Sequence, residues 1–352
     1  MDISNYLKLT VEKDASDIFF SVGSPPRIKI AGKVVSIGKT VLSAEITEAI
    51  AKKMMNAEQW AYFQQDLEID FAIAMPEIEA RFRVNAFRQQ GLVSLVLRLV
   101  KSKAPTLKEL NLPDVLEDLI MRKRGLLLMV GATNSGKSTT LAAMIDHRNE
   151  HQAGHIVTIE DPIEFVHPHK KSLVNQRELG VDTHSYVKAL RSAMRESPDV
   201  ILVGEIRDLE TMSSALELSN TGHLAISTMH ANNAYQAMQR VINMYPQTQH
   251  KQLFMDLSLN LVAVISQRLV PSVDGKRTAA LEIMINTPYV ADLILNGKID
   301  EIKEAIKDSS TKGMQNFDMA LYQLYKKGRI TLESALDNAD SRTNLEAKIN
   351  FG

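Results

Sequence analysis

One stretch constrains this chain more than any other: Gly131-Ala132-Thr133-Asn134-Ser135-Gly136-Lys137-Ser138-Thr139. It follows an apolar run, Leu126-Leu127-Leu128-Met129-Val130, and precedes the helically spaced Leu141-Ala142-Ala143-Met144-Ile145. A G-x-x-x-x-G-K-[ST] sequence placed where a strand turns into a helix calls for an α/β unit. Its glycines let the backbone curl so that several N–H groups point inward at phosphate oxygens. Lys137 supplies a point charge, and the Ser138 hydroxyl can ligate Mg²⁺. The stretch is built to hold the phosphates of a nucleotide.

Around it, strands and helices alternate. Residues 126–130, 155–160, 199–205, 223–228 and 278–286 read as strands, with helices after Ser138 and over 184–197, 209–219 and 232–245. Such alternation predicts a mainly parallel sheet covered by helices. From Thr287 the chain reads as short helices separated by Gly297, Gly313 and Gly328. Upstream, residues 16–22 read as a strand, 27–35 as a second strand bent at Ala31-Gly32, and 43–65 as one amphipathic helix begun by Ser43. Strands over 70–75, 80–87 and 92–100 follow. In the middle one, a period of two sets Phe82, Val84 and Ala86 on one face and Arg81, Arg83 and Asn85 on the other.

The 352 residues exceed most single domains. The charged segment 101–125 carries two prolines, which places a boundary near residue 105. The expected division is an N-terminal α/β domain over 1–105, a core that carries the phosphate loop over 106–286 and a C-terminal helical region over 287–352.

Bulk properties narrow the class further. With 41 basic and 42 acidic residues the formal net charge is -1, so no overall field favours nucleic acid or an anionic membrane. The absence of cysteine rules out disulfides and Cys-based zinc sites. The N-terminus lacks the pattern of a secretory signal, and no stretch approaches about 18 uninterrupted apolar residues. The expectation is a soluble cytoplasmic protein.

Hydrolysis of a bound nucleotide also needs a carboxylate near the metal and a group that orients water. The apolar run 200–203 leads to Glu205, where a metal-facing carboxylate of this fold class belongs. Glu160, Asp161 and Glu164 crowd the end of another strand, and like charges that close need a cation. His223 and His230 stand at the two ends of the strand beyond Glu205.

Together "GATNSGKST", "TIEDPIEF", "RSAMRESPDVILVGEIRDLET" and "TGHLAISTMHANNA" resemble the secretion ATPases of type II secretion and type IV pilus systems, and within them the PilT/PilU retraction family. The region 313–345 is similar to the PilU branch, and "AIKDSSTKG" departs from the "AIR"-type motif of the PilT branch. Type II secretion ATPases usually carry a four-cysteine zinc element, which this chain lacks.

The resemblance implies a PAS-like N-terminal domain joined to a RecA-like P-loop ATPase domain, and a homohexameric ring that hydrolyses ATP with Mg²⁺. It implies that Gly131 to Thr139 bind nucleotide, with Asn134 where relatives commonly have glycine. Ser138 and Glu205 would hold the metal, Glu164 would activate water, and His230 would reach the nucleotide. His223 and His230 would couple nucleotide state to neighbouring elements, and Arg81 and Arg83 would swing toward the phosphates. The implied partners are a PilT-like ATPase and a PilC-like platform protein of the inner membrane, at its cytoplasmic face, with no nucleic acid. Three roles stay open at this point: a PilT-dependent accessory motor, a self-sufficient retraction motor, or a nucleotide-binding ring component that generates little force.

Overall fold

The computed structural model describes residues 3–78, 80–100 and 103–351, and these divide into two units. One runs to Lys103 and takes in Glu164–Val166; the other comprises Ala104–Ile163 and the residues from His167 onward.

The first unit is one antiparallel sheet with helices. Strands β1 (Asp17–Phe20), β2 (Arg27–Ile30), β3 (Lys33–Ser36), β4 (Glu68–Met75), β5 (Ala80–Gln89) and β6 (Leu92–Val100) lie in the order β3-β2-β1-β6-β5-β4. Alternation along β5 is as the sequence implies: Phe82, Val84 and Ala86 are fully buried, while Arg81, Arg83 and Asn85 are half-buried on the other face. The buried face joins Ile18, Phe20, Leu95 and Leu97 and is covered by Leu7 of α1 (Ser4–Glu12), Ile50 of α2 (Ala44–Met54) and Phe63 of α3 (Ala57–Asp66).

Two expectations need correction. Residues 27–36 are a hairpin rather than a bent strand, because Ala31 (φ 48) and Gly32 (φ 82) both turn left-handed, the geometry that reverses a strand in two residues. The single helix expected over 43–65 is two helices. Asn56 interrupts it by capping α3: its Oδ1 accepts from the Gln59 amide at 2.8 Å, and its own amide donates to Gln59 Oε1 at 3.0 Å. That reciprocal box satisfies two amides a helix start leaves open, typically worth about 1 kcal/mol.

In the second unit, α4 (Val115–Ile120), β7 (Gly125–Val130), α5 (Lys137–His151), β8 (Gly154–Glu160), β9 (Ser172–Glu178), α6 (Tyr186–Ala193), β10 (Val200–Glu205), α7 (Leu209–Asn220), β11 (Leu224–Met229), α8 (Ala234–Met244), α9 (His250–Asn260), β12 (Leu261–Pro271) and β13 (Arg277–Ile285) follow in turn. The sheet order is β13-β12-β7-β11-β10-β8-β9, parallel except for β13. Every residue of β7 is buried, as a strand covered on both faces requires. Leu126, Leu128 and Val130 face the side covered by α7, α8 and α9, and Leu127 and Met129 face α4 and α5. Each buried leucine contributes roughly 1.5–3 kcal/mol.

The chain ends in α10 (Pro288–Leu295), α11 (Ile302–Lys307), α12 (Phe317–Lys326), α13 (Leu332–Asp337) and α14 (Arg342–Phe351). The last three enclose Phe317, Leu321, Ile330, Leu336 and Leu345 against Val270 and Ala280 of the sheet. No helix among the described residues is long and apolar enough to cross a membrane.

Candidate nucleotide site

The phosphate loop occupies the step from β7 into α5. Gly131 (φ 156) and Gly136 (φ 85) carry the turn, and neither has room for a side chain: a Cβ on Gly131 would lie 2.5 Å from the Gln267 carbonyl oxygen, and one on Gly136 would lie 2.8 Å from Gln267 Nε2. Asn134 takes φ 62, a left-handed conformation that asparagine tolerates better than most residues. Ala132 and Thr133 are exposed beside it, and Ser135 is buried. The Lys137 ammonium donates to the carbonyls of Gly131 at 2.8 Å and Ala132 at 2.9 Å, so its charge sits over the loop. Ser138 and Thr139, half-buried, lie in the first turn of α5, where open N–H groups and the helix dipole favour an anion.

Because β7, β11, β10 and β8 are parallel, their C-terminal ends share one edge of the sheet. Val130 pairs with Met229, and Thr228 pairs with Glu205, so β11 lies between the loop and Glu205. There the Glu205 carboxylate is fully engaged. Its Oε1 meets His230 Nε2 at 3.0 Å, and its Oε2 accepts from Arg207 Nε at 2.8 Å and Nη2 at 2.7 Å. The hydrogen bond and charge of Glu205 raise the Arg207 pKa.

The predicted residues separate by place. His230 and Glu205 come together, whereas His223 lies at the other end of β11, where its Nδ1 meets the Thr221 hydroxyl at 3.1 Å and the Leu218 carbonyl at 3.2 Å. Six strand residues, or about 20 Å, part the two histidines. Of the three carboxylates read together, Glu160 ends β8 and accepts from Thr158 Oγ1 at 2.6 Å and Gln176 Nε2 at 3.2 Å. Glu164 is exposed four residues further on and groups with the first unit. Arg81 and Arg83 stand on the half-buried face of β5, opposite Val100 and Arg98 of β6. The like-charged pair Arg83 and Arg98 is eased by Asp17, which accepts from Arg98 Nε at 2.9 Å.

Two residues escaped the sequence reading. Tyr186 of α6 packs its hydroxyl against Gly204, where a Cβ would come within 2.7 Å of it. Burial, and then the negative charge of Asp161, push its pKa well up against the opposing charge of Arg207. Gln267 of β12 is the other, lying beside Gly131 and Gly136.

The donor set suits Mg²⁺ with a nucleotide. Among the described residues no cluster of three or more His, Asp or Glu could hold a metal unaided. A hydroxyl at the start of α5 and one carboxylate across β11 are what a cation needs when phosphates supply its other oxygens.

Known proteins resemble the chain along its length. The sequence pattern of the family described as "Type II/IV secretion system protein" matches residues 1–343. The type IV pilus ATPase PilU of Pseudomonas aeruginosa is 49% identical over 353 residues, covering 100% of this chain and 92% of that protein. The type IV pilus retraction ATPase PilT of the same organism is 44% identical, covering 96% of this chain and 98% of its own. Among solved structures, the pilus retraction motor PilT with bound ADP superposes with a TM-score of 0.91 at 40% identity, covering 98% of this chain and 99% of that one. The phosphate loop, the parallel sheet that carries it and a pattern spanning both units place the chain in the type II/IV secretion system protein family.

Proposed function

We propose that the chain is an ATP-hydrolysing motor of the PilT/PilU kind, working as a homohexamer that powers or assists the retraction of type IV pili. The observation that carries this reading is the meeting of Glu205 and His230 one strand away from a complete phosphate loop, in a chain 49% identical along its whole length to a pilus ATPase. In this reading Gly131 to Thr139 wrap the phosphates, and Lys137 transfers its charge from the loop carbonyls to the phosphate oxygens. Mg²⁺ held by Ser138 and Glu205 supplies compensation for charge that builds on the phosphates.

Arg207 and His230 hold the Glu205 carboxylate at the end of β10, and His230, bonded to it from the end of β11, would couple nucleotide state to its neighbours. Glu164 takes the proton of the attacking water, and Arg81 and Arg83 stabilise the transferring phosphoryl group. His223, at the far end of β11, suits a coupling role toward other elements rather than contact with phosphate.

The proposed partners are a PilT-like ATPase and a PilC-like platform protein at the cytoplasmic face of the inner membrane. Dependence on a PilT-like partner is favoured by the segment "AIKDSSTKG", in which Lys307 ends α11 in place of the "AIR"-type arginine. The test is pilus retraction under load in cells lacking both retraction motors, with this chain restored alone or with the PilT-like ATPase. Retraction by the pair alone is expected. Retraction by this chain unaided would make it an independent motor, and none with either arrangement would remove it from pilus retraction.

A further inference from the structure

Gln267 is 2% exposed in β12, one residue past the point where Ser266 pairs with Val130 at the end of β7. A glutamine that deep must satisfy its amide within the protein, and it does so entirely on the phosphate loop and its helix. Its Oε1 accepts from the Thr140 hydroxyl at 2.7 Å, and its Nε2 donates to the Ser135 carbonyl at 2.7 Å. Thr140 and Ser135 are themselves 2% and 6% exposed, so water does not compete for either bond.

The Ser135 carbonyl shares a planar trans peptide with the Gly136 amide, and the C=O and N–H of such a unit point in opposite directions. Holding the carbonyl toward β12 therefore aims the Gly136 N–H away from β12, into the cradle. The second bond fixes α5 one turn below Gly136, at the end that presents its open N–H groups. Gly136 completes the arrangement, since the glutamine amide occupies the space a Cβ would take.

The strand that bears this amide is itself braced. The next residue, Arg268, faces the other side, where its guanidinium lies 3.8 Å from the centre of the Phe317 ring and 2.7 Å from Asp340.

We propose that Gln267 is a positioning residue for nucleotide: its buried amide sets the phosphate loop and the first turn of α5 in their binding arrangement before nucleotide arrives. The proposal rests on the reading of Gly131 to Thr139 as the nucleotide site. Without the amide, the loop must be ordered at the moment of binding, which is paid for in affinity. The loss falls on binding more than on chemistry, because Gln267 touches the loop and not the reacting phosphate.

The test is ADP binding by calorimetry together with steady-state ATP hydrolysis, for the full chain and for Gln267→Met, Gln267→Glu and Thr140→Val. Gln267→Met keeps the length and removes both bonds; it is expected to weaken ADP binding and raise KM for ATP about tenfold, with kcat falling by less than KM rises. Gln267→Glu sets a carboxylate against the Ser135 carbonyl and should weaken ADP at least as much. Combining Gln267→Met with Thr140→Val should cost less than the product of the two single effects, since both remove the same bond.

ADP affinity within about twofold of the parent in folded Gln267→Met overturns the proposal. If that variant does not fold, the same result in Gln267→Glu and Thr140→Val overturns it. Lys137→Ala, measured beside them, separates the two readings: a Lys137→Ala variant that binds ADP normally removes the site itself, whereas loss there with normal binding in the Gln267 variants removes only the positioning role.

Discussion

Lys137→Ala is expected to abolish ATP turnover, lowering kcat/KM by about 10³-fold, while leaving the fold in place. The lysine charge lies over the loop, bonded to the carbonyls of Gly131 and Ala132, in position to pass to phosphate oxygens. Charge-assisted hydrogen bonds are worth about 1.5–3 kcal/mol each, so the loss of two amounts to roughly 3–6 kcal/mol, or 10² to 10⁴ in rate. The fold survives because Lys137 belongs to none of the apolar clusters that hold the sheet. ATP hydrolysis and thermal unfolding, measured on the same preparation, check both halves. Normal turnover in the variant would remove the loop from the mechanism.

The double variant Arg81→Ala, Arg83→Ala is expected to lower kcat by about 10³-fold with little change in ADP affinity. Arginines that meet a transferring phosphoryl group are worth about 10³ to 10⁵ in rate. They act on charge that develops in the transition state, so ground-state binding of ADP is spared. The sheet should survive, because the core face of β5 is carried by Phe82, Val84 and Ala86. An unchanged kcat would leave Arg81 and Arg83 as surface residues of the first unit.

Much of this was legible in the chain because local rules and tertiary demands agree there. The period of two in β5 put the arginines on one face and the phenylalanine on the other, and the glycine spacing at 131 and 136 fixed the step from β7 into α5. Readings failed where a short-range signal was overruled by a stronger one close by. The helical spacing through 43–65 continues across Asn56, but the box it forms with Gln59 starts a new helix. Ala31 is no usual turn residue, yet with Gly32 it closes a hairpin.

Two strands were missed for opposite reasons. β9 alternates buried and exposed positions with polar residues at the edge of the sheet, so its apolar signal is thin. β12 begins at Leu261 directly after α9 ends at Asn260, so no connecting segment separates helix from strand. Missing β12 hid Gln267, since the strand order that sets it beside β7 is a tertiary fact. The same holds for His223 and His230: both flank one strand in sequence, and only the parallel sheet decides that His230 has the phosphate end.

The proposed motor depends on ATP hydrolysis in which Glu164 activates the attacking water. The decisive measurement is single-turnover phosphate release from ATP by the purified chain, set beside Glu164→Gln and paired with ATP affinity for each. The parent protein is expected to release phosphate, and Glu164→Gln to bind ATP as tightly but hydrolyse it about 10²-fold more slowly, the scale of a lost general base. Loss of ATP affinity in Glu164→Gln with an unchanged rate per bound ATP would make Glu164 a ligand rather than the base, and no phosphate release from the parent protein would contradict the motor itself.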